Sequence, residues 1–193
     1  MLLNTLKGNQ MDNNCVILID CRENFQYPQD IINYLKKYKP KFVINANYPV
    51  DIWVLSDKTT IFPDYNQNEY TGIFNHLGES NLTNNSTIEK YLDDNNIKYF
   101  NITDPIELIS LNEFKEIESI TIMGSAWHRC LHDRPVGFNF LPEIINSNIK
   151  ILTYSFGCCR SAEETIDVDD QIKLDKDWIP TSELNIYEYI GTR

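Results

Sequence analysis

The run Cys15-Val16-Ile17-Leu18-Ile19-Asp20 constrains the fold more than any other stretch of this chain. Five consecutive apolar residues leave no polar face for solvent, so the strand they form must be covered on both sides. Comparable runs follow at Phe42-Val43-Ile44-Asn45-Ala46, Ile52-Trp53-Val54-Leu55, Ile97–Ile102, Ser119-Ile120-Thr121-Ile122-Met123 and Ile149–Tyr154, with a short last strand near Ile186–Tyr189. Segments of helical character lie between them. One spans about Asp30–Lys37, with Ile31, Ile32 and Leu35 on one side and Pro40 as its stop. Others are Thr87–Asp94 capped by Ser86, Pro105–Lys115, and a stretch from near Cys130 to Ile145 bent at Pro135 and Pro142. Alternating strands and helices imply right-handed βαβ crossovers. The expected fold is α/β: a three-layer, doubly wound sheet of about six mostly parallel strands with helices on both faces.

A chain of 193 residues fits one such domain. Residues 15–193 read as that domain and residues 1–14 as a flexible polar leader. Residues 62–86 read as an irregular insertion, rich in Asn and poor in periodic apolar positions. Seventeen basic against 28 acidic residues give a net charge of −11. Apart from Lys36-Lys37-Tyr38-Lys39 there is no basic cluster, which argues against a nucleic-acid or membrane-surface partner. No apolar run approaches the roughly 20 residues that span a bilayer, and the leader has no hydrophobic signal segment. A soluble, cytoplasmic protein is expected. The five cysteines (15, 21, 130, 158 and 159) are then reduced, and a special one would be reactive rather than bridged.

In doubly wound sheets the working groups sit beyond the carboxyl ends of the strands. That rule selects Asp20, the Asn45–Asn47 turn, Asp57-Lys58, Asn101, the Gly124–Cys130 loop and Ser155–Cys159. Two of these endings stand out: Asp20-Cys21-Arg22-Glu23-Asn24-Phe25 and Gly124-Ser125-Ala126-Trp127-His128-Arg129-Cys130-Leu131. A carboxylate after one strand and a cysteine at a helix start after another suit nucleophilic thiol chemistry. The helix end favours a thiolate, the carboxylate can accept its proton, and backbone N–H groups can hold an oxyanion. Each residue also has a plainer reading. A cysteine at a helix start is most often a small buried hydrophobe, and an aspartate there can simply cap a turn. Trp127 either walls a pocket or packs beside the strand, and Arg134 either binds an anionic group or pairs with an acid. His128-x-Cys130-x-His132 does not present one face and lacks a fourth ligand, so no metal is expected. No G-x-G-x-x-G or phosphate loop supports a nucleotide site.

The two endings resemble those of the isochorismatase-like cysteine hydrolases, which include nicotinamidases and N-carbamoylsarcosine amidase. Asp20 and Phe25 keep the spacing of that family's first motif, and Gly124, Ala126, Cys130 and Leu131 match its G-x-A-x-x-x-C pattern with the aliphatic residue that follows. The resemblance implies Asp20 as general base and Cys130 as nucleophile. It further implies an oxyanion hole from the amides of Ala126 and Cys130, a cis peptide before Ala126, and an oligomer. The family completes its triad with a lysine after the third strand. Here Asn101 stands at that strand's end, and Lys58, after Ile52–Leu55, is the alternative. Phe25, Trp127 and Asn101 are the candidate substrate-binding residues, with no cofactor. The implied function is hydrolysis of an amide, a related C–N bond or a vinyl ether of a small molecule. The alternative is a catalytically silent member of the same fold, kept for binding or assembly.

Overall fold

A computed structural model describes residues 13–48, 83–160 and 165–191. Lys58, the segment Ile52–Leu55, residues 1–12 of the leader and residues 62–82 of the insertion lie outside the described residues. The elements run β1 (Asn14–Ile19), α1 (Pro28–Tyr38), β2 (Phe42–Ala46), α2 (Ser86–Asp94), β3 (Tyr99–Asn101) and α3 (Pro105–Ser110). A 3₁₀ helix (Asn112–Glu116), β4 (Ser119–Gly124), a π-helical turn (Trp127–Leu131), α4 (Leu141–Ile144), β5 (Lys150–Cys158), α5 (Val168–Leu174), β6 (Trp178–Pro180) and β7 (Ile186–Tyr189) complete the described chain.

The strands form one mixed sheet in the order β3-β2-β1-β4-β5-β7-β6. The first five are parallel neighbours, whereas β7 runs antiparallel to both β5 and β6. Every residue of β1, β2 and β4 is buried, as continuous apolar runs require. Among the described residues the sheet has seven strands, against the expected six or so. The added strand, β6, is three residues long and ends at Pro180 on the sheet edge, where a missing N–H is tolerated.

Local chemistry explains the helix bounds. Pro28 opens α1, where its missing N–H is no loss, and Lys39 ends it in the left-handed region at φ 45°. The cap of α2 is Asn85 rather than Ser86: its side chain accepts the N–H groups of Thr87 and Ile88. Ser86 instead donates its hydroxyl to Glu23 at 2.7 Å. The expected helix over 105–115 divides into α3 and the 3₁₀ helix, because Leu111 takes extended angles (φ −58°, ψ 135°) between them. The expected stretch from Cys130 to Ile145 likewise becomes the π-turn, an irregular segment and the short α4.

A chain that builds β1 to β3 on one side and returns to build β4 and β5 on the other reverses its winding between β1 and β4. The carboxyl ends of those two strands form the switch point where such sheets place a site. Gly124 seals this junction. It pairs with Ile19, and its φ of 141° lies where side chains are rarely found. A Cβ there would sit 2.0 Å from the Ile19 carbonyl oxygen. Gly124→Ala should therefore cost at least about 3 kcal/mol of folding stability, read as a lowered urea midpoint. A loss below about 1 kcal/mol would mean that the β1–β4 junction relaxes freely.

Candidate active site

Asp20 is the first residue beyond β1. Its N–H donates to the Ala46 carbonyl at 3.0 Å, and its φ of 53° turns the chain out of the sheet. The carboxylate is buried, and hydrogen bonds engage both of its oxygens. Oδ1 accepts the Tyr48 N–H at 2.8 Å and an Arg22 Nη2 at 3.3 Å; Oδ2 accepts Arg134 Nε at 2.9 Å. The Arg134 side chain is only 2% exposed. A charge sealed this well needs its counter-ion, so Asp20 and Arg134 are mutually obligatory. The Arg134 guanidinium also lies over the Tyr48 ring, 5.3 Å from its centroid.

Cys130 reaches the same place from the opposite side of the switch point. After β4 the chain passes through Ala126, held at φ 53°, into the π-turn marked by the Leu131 N–H to Ala126 carbonyl bond of 3.3 Å. The turn's entry is tied down by Ser125 N–H to the Ile19 carbonyl (2.9 Å) and Trp127 N–H to the Cys159 carbonyl (2.8 Å). One helical step later, Arg134 N–H donates to the Cys130 carbonyl at 3.2 Å, which sets the two side chains on one face. The cation is therefore supplied by the segment that carries the sulfur. Gly137 makes this possible: a Cβ there would meet the carbonyl oxygens of Leu131 (2.5 Å) and Arg134 (2.8 Å).

The Cys130 thiol lies within hydrogen-bonding reach of both the Asp20 carboxylate and the Arg134 guanidinium. Burial pushes its pKa up to about 12, the Asp20 charge adds to the rise, and Arg134 offsets part of it. The resting sulfur is consequently a thiol, and its proton faces a carboxylate. Cys21, Cys158 and Cys159 are raised too, chiefly by burial, and all five cysteines are unbridged.

Cys130, Asp20 and Ala126 are thus gathered at one rim. The other sequence-derived candidates fare differently. Lys58 lies outside the described residues. Phe25 is buried in the core. Trp127 is fully buried against Phe138 and Trp178, with centroids at 5.4 and 5.5 Å, so it packs the interior. Asn101 is exposed at the end of β3, where its Oδ1 accepts from Asn84 at 2.9 Å. No cis peptide occurs among the described residues: the bond before Ala126 is trans, and the left-handed Ala126 makes the turn instead.

The sequence leaves Arg134 open between an anion binder and a partner of some acid; the structure assigns its carboxylate. Its spacing of four residues after Cys130 was the available signal. Arg22, two residues after Asp20, was visible for the same reason. Tyr48 carried none, because its contact depends on the strand order.

Because the thiol titrates near 12, iodoacetamide labelling of Cys130 should accelerate about tenfold per pH unit from pH 7 to 10, with no plateau. Asp20→Asn removes a charge that holds the proton on sulfur, so labelling at pH 8 should speed up by at least about threefold. Peptide mass mapping resolves Cys130 from the other thiols. A plateau below pH 9, or slower labelling of the variant, would contradict this electrostatic picture.

The chain matches no protein-family model, no curated protein and no solved structure, so any assignment of function rests on this geometry.

Proposed function

We propose that this protein is a cysteine hydrolase that cleaves an amide, or a related C–N or vinyl-ether bond, of a small molecule. The observation that carries the reading is the meeting of the Cys130 thiol, the Asp20 carboxylate and the buried Arg134 guanidinium at the switch point of the sheet. For an amide, Cys130 Sγ attacks the carbonyl carbon while its proton passes to Asp20. The N–H groups of Ala126 and Cys130 receive the negative charge that develops on the carbonyl oxygen. Asp20 then protonates the leaving nitrogen as the C–N bond breaks, leaving a thioester. Water attacks the thioester, Asp20 takes its proton, and the thiol is restored.

Arg134 has the role that the family resemblance gives to a lysine, with one chemical difference. A guanidinium stays protonated, so it compensates charge but relays no proton. All proton traffic falls on Asp20.

A second reading, a silent binding or assembly protein, draws on a specific observation. The thiol is held in its unreactive form by burial, and both Asp20 oxygens already accept hydrogen bonds. The two readings separate by experiment. The hydrolase should form an acyl or carbamoyl adduct on Cys130 when incubated with a panel of small carboxamides and ureas, or turn over vinyl ethers without such an adduct. Cys130→Ser should abolish both adduct and turnover, and Asp20→Asn should lower turnover by about 100-fold or more despite its faster alkylation. Turnover that survives Cys130→Ser would sink the proposal, and a protein that binds panel members without any adduct or turnover would be the silent module.

A further inference from the structure

Next to the thiol site, the ends of β2 and β3 carry a line of asparagine amides with a fixed direction. Glu89 Oε1 accepts Asn84 Nδ2 at 2.6 Å, and a carboxylate only accepts. Asn84 therefore turns its NH₂ towards Glu89 and also towards Asn101 Oδ1, and its own Oδ1 faces the other way. There it accepts Asn47 Nδ2 at 2.7 Å. Asn47 thus turns its NH₂ towards Asn84, and its Oδ1 is the open end of the line. Asn47 is 8% exposed, and this oxygen is buried with no hydrogen-bond partner among the described residues. Arg22 supplies a complementary gap. Its Nη2 serves Asp20 and the Tyr48 carbonyl, whereas its buried Nε has no acceptor among the described residues. The two residues are neighbours, since Arg22 is bridged to Asn84 and bonds the carbonyl of Tyr48, the residue after Asn47.

Buried polar groups are nearly always paired, and a buried unpaired acceptor beside a candidate active site calls for a partner of the kind a ligand group supplies. We infer that Asn47 Oδ1 and Arg22 Nε form a recognition subsite for the non-reacting end of a small-molecule ligand. That end carries an N–H donor next to an oxygen acceptor, as a neutral carboxamide or ureido group does. Asn47 follows β2 and Cys130 follows β4, with β1 between them, so the subsite is two strands away from the sulfur. At roughly 4.8 Å per strand, it meets a different part of the ligand from the bond under attack. This inference rests on the hydrolase reading for the identity of the ligand as a substrate, but not for its binding.

The test uses the full chain, ¹⁵N-labelled, and two probes of equal heavy-atom count, propionamide and methyl acetate, of which only the first has N–H groups. Propionamide should shift the side-chain resonances of Asn47 and Arg22 Nε saturably, with an affinity at least about tenfold above that of methyl acetate. Asn47→Leu should erase this preference. Glu89→Ala, on the surface helix, should weaken it independently by freeing the amide line to reverse. Equal affinities, or no saturable shift at Asn47, would overturn the subsite, as would a preference unchanged in both variants. The same titration on Cys130→Ala separates the two proposals. Selectivity retained in Cys130→Ala, with no acyl adduct ever formed on Cys130 of the unaltered protein, keeps the subsite and removes the hydrolase. Adduct formation without selectivity does the reverse.

Discussion

The buried ion pair between Asp20 and Arg134 is the constraint on which the rest of the site depends. Neither charge has enough solvent contact to survive alone, and removing one member of such a pair typically costs about 3–5 kcal/mol. The pair therefore couples two pieces of chain that are 114 residues apart, the exit of β1 and the turn after β4. Once these are joined, the placement of sulfur follows with little freedom left. Arg134 is one helical step from Cys130, Gly137 brings the following chain back against that step, and Gly124 lets the backbones of β1 and β4 approach. An interaction that is weak evidence for stability is here strong in specifying geometry, because alternative packings would strand a charge.

The path of the backbone around the pair is unusual in the same sense. Asp20 and Ala126 both hold φ at 53°, and Gly124 holds 141°, all within a few residues of the switch point. Left-handed angles at non-glycine residues carry a conformational cost that other contacts must offset. They are offset here by hydrogen bonds that cross the junction: Asp20 to Ala46, Ser125 to Ile19, Trp127 to Cys159 and Cys159 to Gly124. These four bonds join the exits of β1, β2, β4 and β5 into one rim, and that rim presents the carboxylate and the thiol.

Much of the fold was legible in the sequence because its central strands are buried on both faces. The runs at Cys15, Phe42, Ser119 and Ile149 have no second interpretation as amphipathic helices, and each became a parallel strand. The short edge strand β6 was not legible, since three residues ending in proline make no pattern. The helix α5 lay in an acidic stretch that reads equally well as a solvated loop. At the site, Asp20 and Cys130 were legible through strand endings and spacing. The role of Arg134 was not: a lone arginine before a proline has many possible partners, and only the strand order selects one. Asn47 was harder still, because an asparagine becomes informative only when its neighbours' hydrogen bonds are known.

The choice of arginine over lysine as the site's cation has chemical consequences beyond charge. Lysine in such a position is a compact charge that can lose its proton when desolvated. Arg134 is planar, stacks over Tyr48, and binds Asp20 through Nε, which fixes the plane of the guanidinium relative to the carboxylate. The positive charge lies on the same segment as the candidate nucleophile. On the proposed hydrolase reading, transfer of the thiol proton to Asp20 leaves the net charge around Arg134 unchanged; negative charge merely passes from oxygen to sulfur. A buried cation within reach of both atoms stabilises either arrangement, which lets a thiol that titrates near 12 in isolation from substrate still exchange its proton locally. The high thiol pKa and a nucleophilic role are compatible on this ground, because the relevant equilibrium is transfer within the cluster and not release of a proton to water.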